Sequence, residues 1–325
     1  MPYKLFDISQ LHLKPLAERQ HDITRDVMID PDAPTTFEYP SMDILADRIR
    51  AARERKSTVL WMLGAHVIRN GNGPTMIRLM KEGYVTHFAI NGAGCIHDFE
   101  LAMIGATTES VAKYISEGQF GLWTETGNIN DAVKDGQKDG LGFGESVGRM
   151  IDRENFPYKE NSLLWNAYKL QVPVTVHVGI GCDIIHEHPN VDGAAAGAAT
   201  YTDFLIYGQS ILNLEGGVFC NIGNAVMGPE IFLKALSMAR NVAHQDGKKI
   251  ANFTSAVFDL ISLEGQDLFE APPKHDPRFY FRPWKMILAQ TVADGGQAYY
   301  IAGEHKYTVP ALSKKIRNPQ PPASR

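Results

Sequence analysis

Thr58-Val-Leu-Trp-Met-Leu-Gly-Ala-His-Val-Ile-Arg-Asn-Gly-Asn-Gly73 runs from an unbroken apolar stretch into a turn of glycine and small polar residues. Pro74 and a helical stripe of Ile77, Leu79 and Met80 follow. An apolar run this short, without alternation, predicts a strand buried on both faces, as parallel sheets require. The same sequence of events recurs twice. Phe88-Ala-Ile-Asn-Gly-Ala-Gly-Cys-Ile-His-Asp-Phe-Glu100 and Gly217-Val-Phe-Cys-Asn-Ile-Gly-Asn-Ala-Val-Met-Gly-Pro-Glu230 each lead an apolar run through glycine into a helical pattern. Glycine admits close backbone approach, and a helix start offers unpaired N–H groups to an anion. Three such units predict an α/β protein with one doubly wound, mostly parallel sheet and helices on both faces. They also predict a large ligand, a dinucleotide, laid along the carboxyl edge of the strands.

The rest of the chain continues this rhythm. Residues 1–40 are irregular and rich in proline and charge, a predicted surface segment. The single domain spans 41–316, and the proline-rich 317–325 reads as a disordered tail. Strands are predicted at 58–63, 86–90, 172–178, 217–222, 250–258 and 298–302, and helices from Ser41, after Pro74, after Gly94, from Ser162, and at 202–212, 229–243 and 309–316. The glycine-rich polar stretch 117–148 reads as a lid or an oligomer arm, and the aromatic, proline-broken 272–284 as a surface crossing.

The bulk numbers exclude several classes. A formal charge of −5 over 325 residues provides no general attraction to nucleic acid or to anionic membrane. No run is long enough to span a bilayer, and the N-terminus lacks a signal-peptide core. Three separated cysteines point to free thiols and a cytoplasmic location.

Each candidate residue carries two readings. Gly64, Ala65, Asn91, Gly92, Ala93, Gly94, Gly223 and Asn224 either touch a cofactor or serve tight strand–helix packing, and His66, just past a strand end, is a cofactor contact or a capped loop histidine. Asp98 is a ligand contact or a first-turn helix acid, and Asp183 an amine or ribose contact or a turn residue. His186 and His188 flank Glu187, a spacing that places both rings on one side of an extended chain, so with Asp183 they form a candidate metal site for a hydrolase. Lys285, between Trp284 and Met286, is a candidate nucleophile or a stem lying on the indole. Cys95 is a thiolate at a helix start or a small buried residue.

The order and spacing of these pieces, over roughly residues 40–316, resemble deoxyhypusine synthase and its bacterial homologues. The segments that carry the likeness start at Leu63, Ile90, Val172 and Ile222, together with Arg282-Pro-Trp-Lys-Met-Ile287. The resemblance implies a Rossmann-like domain in which NAD takes a hydride from a polyamine or related small amine. An imine then forms, and a lysine carries the alkylamine group to an acceptor. It places Asp183 against the amine nitrogen, Lys285 as the imine-forming residue and His188 beside the substrate. It places Asp98 with the glycine turns around NAD, and it implies a homotetramer. A nucleotide-binding homologue without catalysis is the non-enzymatic alternative.

Overall fold

The computed structural model describes residues 2–318. The six predicted strands form one sheet: β1 (Val59–Leu63), β2 (His87–Asn91), β3 (Val174–His177), β4 (Val218–Ile222), β5 (Thr254–Asp259) and β6 (Gln297–Ala302). Their spatial order is β3-β2-β1-β4-β5-β6, and every neighbouring pair is parallel. This is the doubly wound α/β arrangement. Successive side chains of a strand point to opposite faces. Val59, Trp61 and Leu63 therefore join one core and Leu60 and Met62 the other.

The first core is covered by α1 (Met42–Arg55), α2 (Gly73–Lys81), α3 (Gly92–Ile104), α4 (Asn128–Lys138), α5 (Phe143–Arg153), α6 (Leu163–Leu170) and the last helix, α9 (His305–Arg317). The second lies under α7 (Gly193–Leu212), α8 (Met227–Gln245) and the wide-turned helix Pro283–Gln290. Trp61, Phe88, Phe219 and Phe258 are fully buried at the sheet's centre. Each such side chain contributes about 1.5–3 kcal/mol. No helix among the described residues is long and apolar enough to cross a membrane.

At the edge strand β3, α7 supplies the missing ladder partners. Asp203 Oδ2 accepts from Val176 N–H at 2.7 Å, and Thr200 Oγ1 donates to Val176 O at 2.9 Å. An edge satisfied in this way presents fewer free groups for a foreign strand.

Three expectations are corrected. The stretch 117–148 is neither lid nor arm: α4 and most of α5 fall within it, and Ile129, Val133, Phe143 and Val147 are buried in the core. Its glycines allow contact rather than mobility. A Cβ on Gly136 would lie 1.8 Å from Ser146 Oγ, and one on Gly144 would lie 1.8 Å from Val174 O. The helix expected at 202–212 begins nine residues earlier, so the small-residue run from Gly193 belongs to α7 itself, opened by Asp192, whose Oδ1 accepts from Ala194 and Ala195 N–H at 2.9 and 3.0 Å. Alanine, the strongest helix former, leaves no break there. The crossing at 272–284 ends in core, with Trp284 and Ile287 buried.

The N-terminal segment wraps the surface but is anchored through the interior by Leu16 and by Arg19, which pairs with Glu100 of α3 at 2.6 Å. Arg317 closes α9 and pairs with Asp32 at 2.7 Å, while 319–325, most of the expected tail, lie outside the described residues.

Candidate functional site

β1 and β4 are neighbours whose chain crossovers run in opposite directions, so a crevice opens beyond their carboxyl ends. Open α/β sheets bind ligands in such crevices. The sheet thereby brings the three glycine turns to one edge.

At the crevice floor the first and third turns touch each other. Gly64 N–H donates to Ile222 O at 2.8 Å, and a Cβ on Gly64 would lie 1.9 Å from Gly223 O. Asn224 ties the two together. Its Nδ2 donates to Leu63 O at 3.2 Å, and its Oδ1 accepts from Gly228 N–H at 2.8 Å. Gly223 adopts φ +62°, a left-handed conformation that favours glycine, and the His305 imidazole lies against it.

His305 opens α9, is 6% exposed, and its Nδ1 has no partner among the described residues. Burial pushes its pKa down, while Asp259 at the end of β5 opposes the shift. Ala65 and His66 follow Gly64, His66 being exposed. Arg69 Nη1 lies 3.4 Å from His66 Nε2, and burial and Arg69 together lower the His66 pKa. Arg69 has no carboxylate partner among the described residues. The helical turn holding these residues is broken at Asn70 and Gly71, so positive charge there comes from Arg69 and not from a long helix.

The second turn differs from its expectation. Asn91 Oδ1 accepts from Gly94 N–H at 2.9 Å, capping α3. Asp183, 91 residues further along the chain, sits over the same helix start, where a Cβ on Gly92 would lie 2.2 Å from its Oδ2. Burial pushes its carboxyl up to about 6, and the nearby Ala93 N–H opposes the shift. The Gly94 N–H expected to meet a phosphate is thus already engaged by Asn91, and the Asp183 carboxyl crowds the space over Gly92.

Asp98 does not belong to the crevice. Its carboxylate accepts from Ser162 Oγ at 2.5 Å, Leu163 N–H at 2.7 Å and Leu164 N–H at 3.1 Å, and so caps α6. Burial raises its pKa to about 6 against those three donors. His188 is fully buried, its Nε2 donating to Gly121 O at 2.7 Å, so it braces that loop. No group of three or more His, Cys, Asp or Glu side chains among the described residues is arranged to hold a metal ion. The proposed Asp183, His186 and His188 centre is therefore not formed. Cys95 is fully buried, and burial pushes its thiol up, contrary to a thiolate nucleophile. Lys285 lies near the start of the helix between β5 and β6, its Nζ 4.2 Å from the centre of the Phe279 ring. No hydrogen bond or ion pair joins it to Asp183 among the described residues.

Beside the first turn a groove of about 780 Å³ lies between the N-terminal segment and α9, lined by Val27, Ile29, Phe37, Arg69, Lys306 and Tyr307. Arg69 and Lys306 give this groove a donor set suited to an anionic ligand.

Arg69, Asp259 and His305 were not singled out from the sequence. Their signal was position, at or just beyond the carboxyl ends of β1, β5 and β6, which only the strand order makes meaningful.

Fold and crevice define a doubly wound α/β protein with an open crevice at its topological switch point. No protein-family model and no curated protein matches the chain. Among solved structures, a LOR/SDH protein of Methanococcus maripaludis is similar at 14% identity and TM-score 0.51, covering 89% of this chain and 73% of its own. Unliganded AgrE is similar at 14% identity and TM-score 0.51, covering 85% of this chain, which spans 32% of AgrE. A protein of Entamoeba histolytica described as a deoxyhypusine synthase gives 12% identity and TM-score 0.45, with 87% of this chain and 89% of its own covered. The likeness to the first two lies in the fold.

Proposed function

We propose that the protein is an NAD-dependent enzyme acting on a small amine, with the nucleotide across the β1–β4 crevice. The observation that carries this reading is the division of chemistry along one sheet edge. Arg69 and Asp183 lie over the β1–β3 half, and His305, whose pKa burial lowers, lies beside Asp259 over the β4–β6 half. AgrE, which shares the fold, has been solved with ornithine and NAD⁺, a nucleotide and a small amine together.

In this reading Arg69 holds the phosphates and Asp183 a ribose. NAD supplies the hydride acceptor. Asp259 pairs with the substrate ammonium, and the unpartnered Nδ1 of His305 takes the proton released as the carbon–nitrogen bond becomes an imine. Lys285, on the same half of the sheet, is the group that attacks the imine carbon once it has lost its own proton. Its new Nζ–C bond becomes a lysine imine as the substrate's original C–N bond breaks and that nitrogen leaves, reprotonated, as a primary amine. A polyamine as the amine and a homotetrameric assembly complete the proposal.

Calorimetric titration of cofactor-free protein with NAD⁺, with and without spermidine, tests it. Binding strengthened by the amine, followed by borohydride trapping at Lys285, supports the reading. Absence of NAD⁺ binding refutes it.

A further inference from the structure

We propose that the groove beside the first turn is a binding site for a small aromatic carboxylate carrying a ring N–H, and that its occupant competes with the nucleotide for Arg69. The groove itself needs no nucleotide; only the competition rests on the reading above.

The charge of the groove is one-sided. Arg69 and Lys306 line it and no acidic residue among the described ones does, in a chain whose formal charge is −5. Lys306 Nζ is paired with Glu304 at 2.9 Å, whereas Arg69 has no carboxylate partner among the described residues. An unpaired planar guanidinium beside an apolar wall suits a carboxylate, which it meets with two parallel hydrogen bonds. Val27, Ile29 and Phe37 supply that wall from the N-terminal segment, and Tyr307 and Pro310 supply it from α9. A flat ring buries its faces against Phe37 and Tyr307.

Pro310 adds an acceptor. It stands inside α9 and has no N–H, so the Lys306 carbonyl one turn back lacks its helical partner. Lys306 and Pro310 both line the groove, and a ring N–H on the ligand can donate to that carbonyl. The walls are fixed before any ligand arrives. Ile29 N–H donates to Gly71 O at 2.9 Å, and Arg317 Nη2 donates to Asp32 Oδ1 at 2.7 Å, tying the segment to the first turn and to the end of α9. A groove formed in advance loses little ordering entropy on binding.

Calorimetry of the intact chain with indole-3-acetate, which joins carboxylate, flat ring and ring N–H, is the test. Indole-3-acetamide lacks the charge and 1-naphthaleneacetate lacks the N–H, and each is expected to bind about five- to tenfold more weakly. Arg69→Met is expected to bring indole-3-acetate down to the level of the acetamide. Pro310→Ala restores the N–H that the Lys306 carbonyl lacks, and is expected to weaken indole-3-acetate about fivefold while leaving 1-naphthaleneacetate unchanged. Alanine suits the helix, and a merely structural proline would not separate the two acids. No binding of indole-3-acetate, equal binding of the three probes, or an Arg69→Met that binds as the wild type does overturns the site. NAD⁺ and indole-3-acetate bound together without mutual loss of affinity overturn the competition. NAD⁺ that fails to bind where indole-3-acetate binds refutes the nucleotide reading and the competition with it, and leaves the site standing.

Discussion

Replacing Arg19 with methionine leaves the Glu100 carboxylate alone in the protein interior. Both side chains are 1% exposed, and the guanidinium donates to both carboxylate oxygens, Nη1 to Oε1 at 2.9 Å and Nη2 to Oε2 at 2.6 Å. Thr126 Oγ1 donates to Oε1 at 2.7 Å and Thr107 Oγ1 to Oε2 at 2.8 Å. After the substitution only the two threonines remain. Breaking a buried pair from one side costs about 3–5 kcal/mol, because the surviving charge stays desolvated. Solvent screening does not reduce this at such burial.

For a chain of this size that corresponds to a melting temperature lower by roughly 4–7 °C. Denaturant unfolding of Arg19→Met, Glu100→Gln and the double variant measures the effect. The double variant is expected to lose at least 2 kcal/mol less than the two single losses combined, since it holds no unpaired charge. A loss under 1 kcal/mol for Arg19→Met, or simple additivity, would refute the reasoning. Arg19 also anchors the segment whose continuation, Val27 to Phe37, walls the groove, so proteolysis of the variant is expected to cut there first.

Asp203 is predicted to make stability depend on pH. Burial raises its carboxyl from 3.8 to about 7, so the folded state holds the proton more tightly; that stability is present below pH 4 and is lost as pH rises through 7. Unfolding at pH 4 and pH 8 should show the difference between wild type and Asp203→Asn moving toward the variant by on the order of 3 kcal/mol, and a constant difference would count against it. Asp98→Ala removes three hydrogen bonds that open α6 and is expected to cost about 2–3 kcal/mol while leaving NAD⁺ affinity within twofold; a selective loss of NAD⁺ binding would restore the cofactor role. Gly64→Ala drives a methyl into the Gly223 carbonyl and should destabilise by about 2 kcal/mol or more, read by thermal melting. Lys285→Ala is expected to change stability by under about 0.5 kcal/mol yet to abolish borohydride trapping, and retained trapping would move the imine elsewhere.

The strands were legible because a strand buried on both faces needs a short apolar run, and all six occur where such runs stand. The helices of 117–148 were not. Ile129 with Val133, and Phe143 with Val147 and Ile151, carry helical spacing, but the surrounding glycines read as loop. Those glycines are small because Ser146 and the β3 backbone pass against them, a fact of packing.

For the site, the sequence by itself determined that glycine turns end three buried strands, which is a local property of chain and turn chemistry. Which of those turns remain open to a ligand was decided only by tertiary structure. Asp183 closes on Gly92 from 91 positions away, His305 on Gly223 from 82, and Asp98 turns to α6 instead of the crevice. A helix start accepts whichever oxygen the fold delivers to it, and that delivery depends on strand order, not on neighbouring residues.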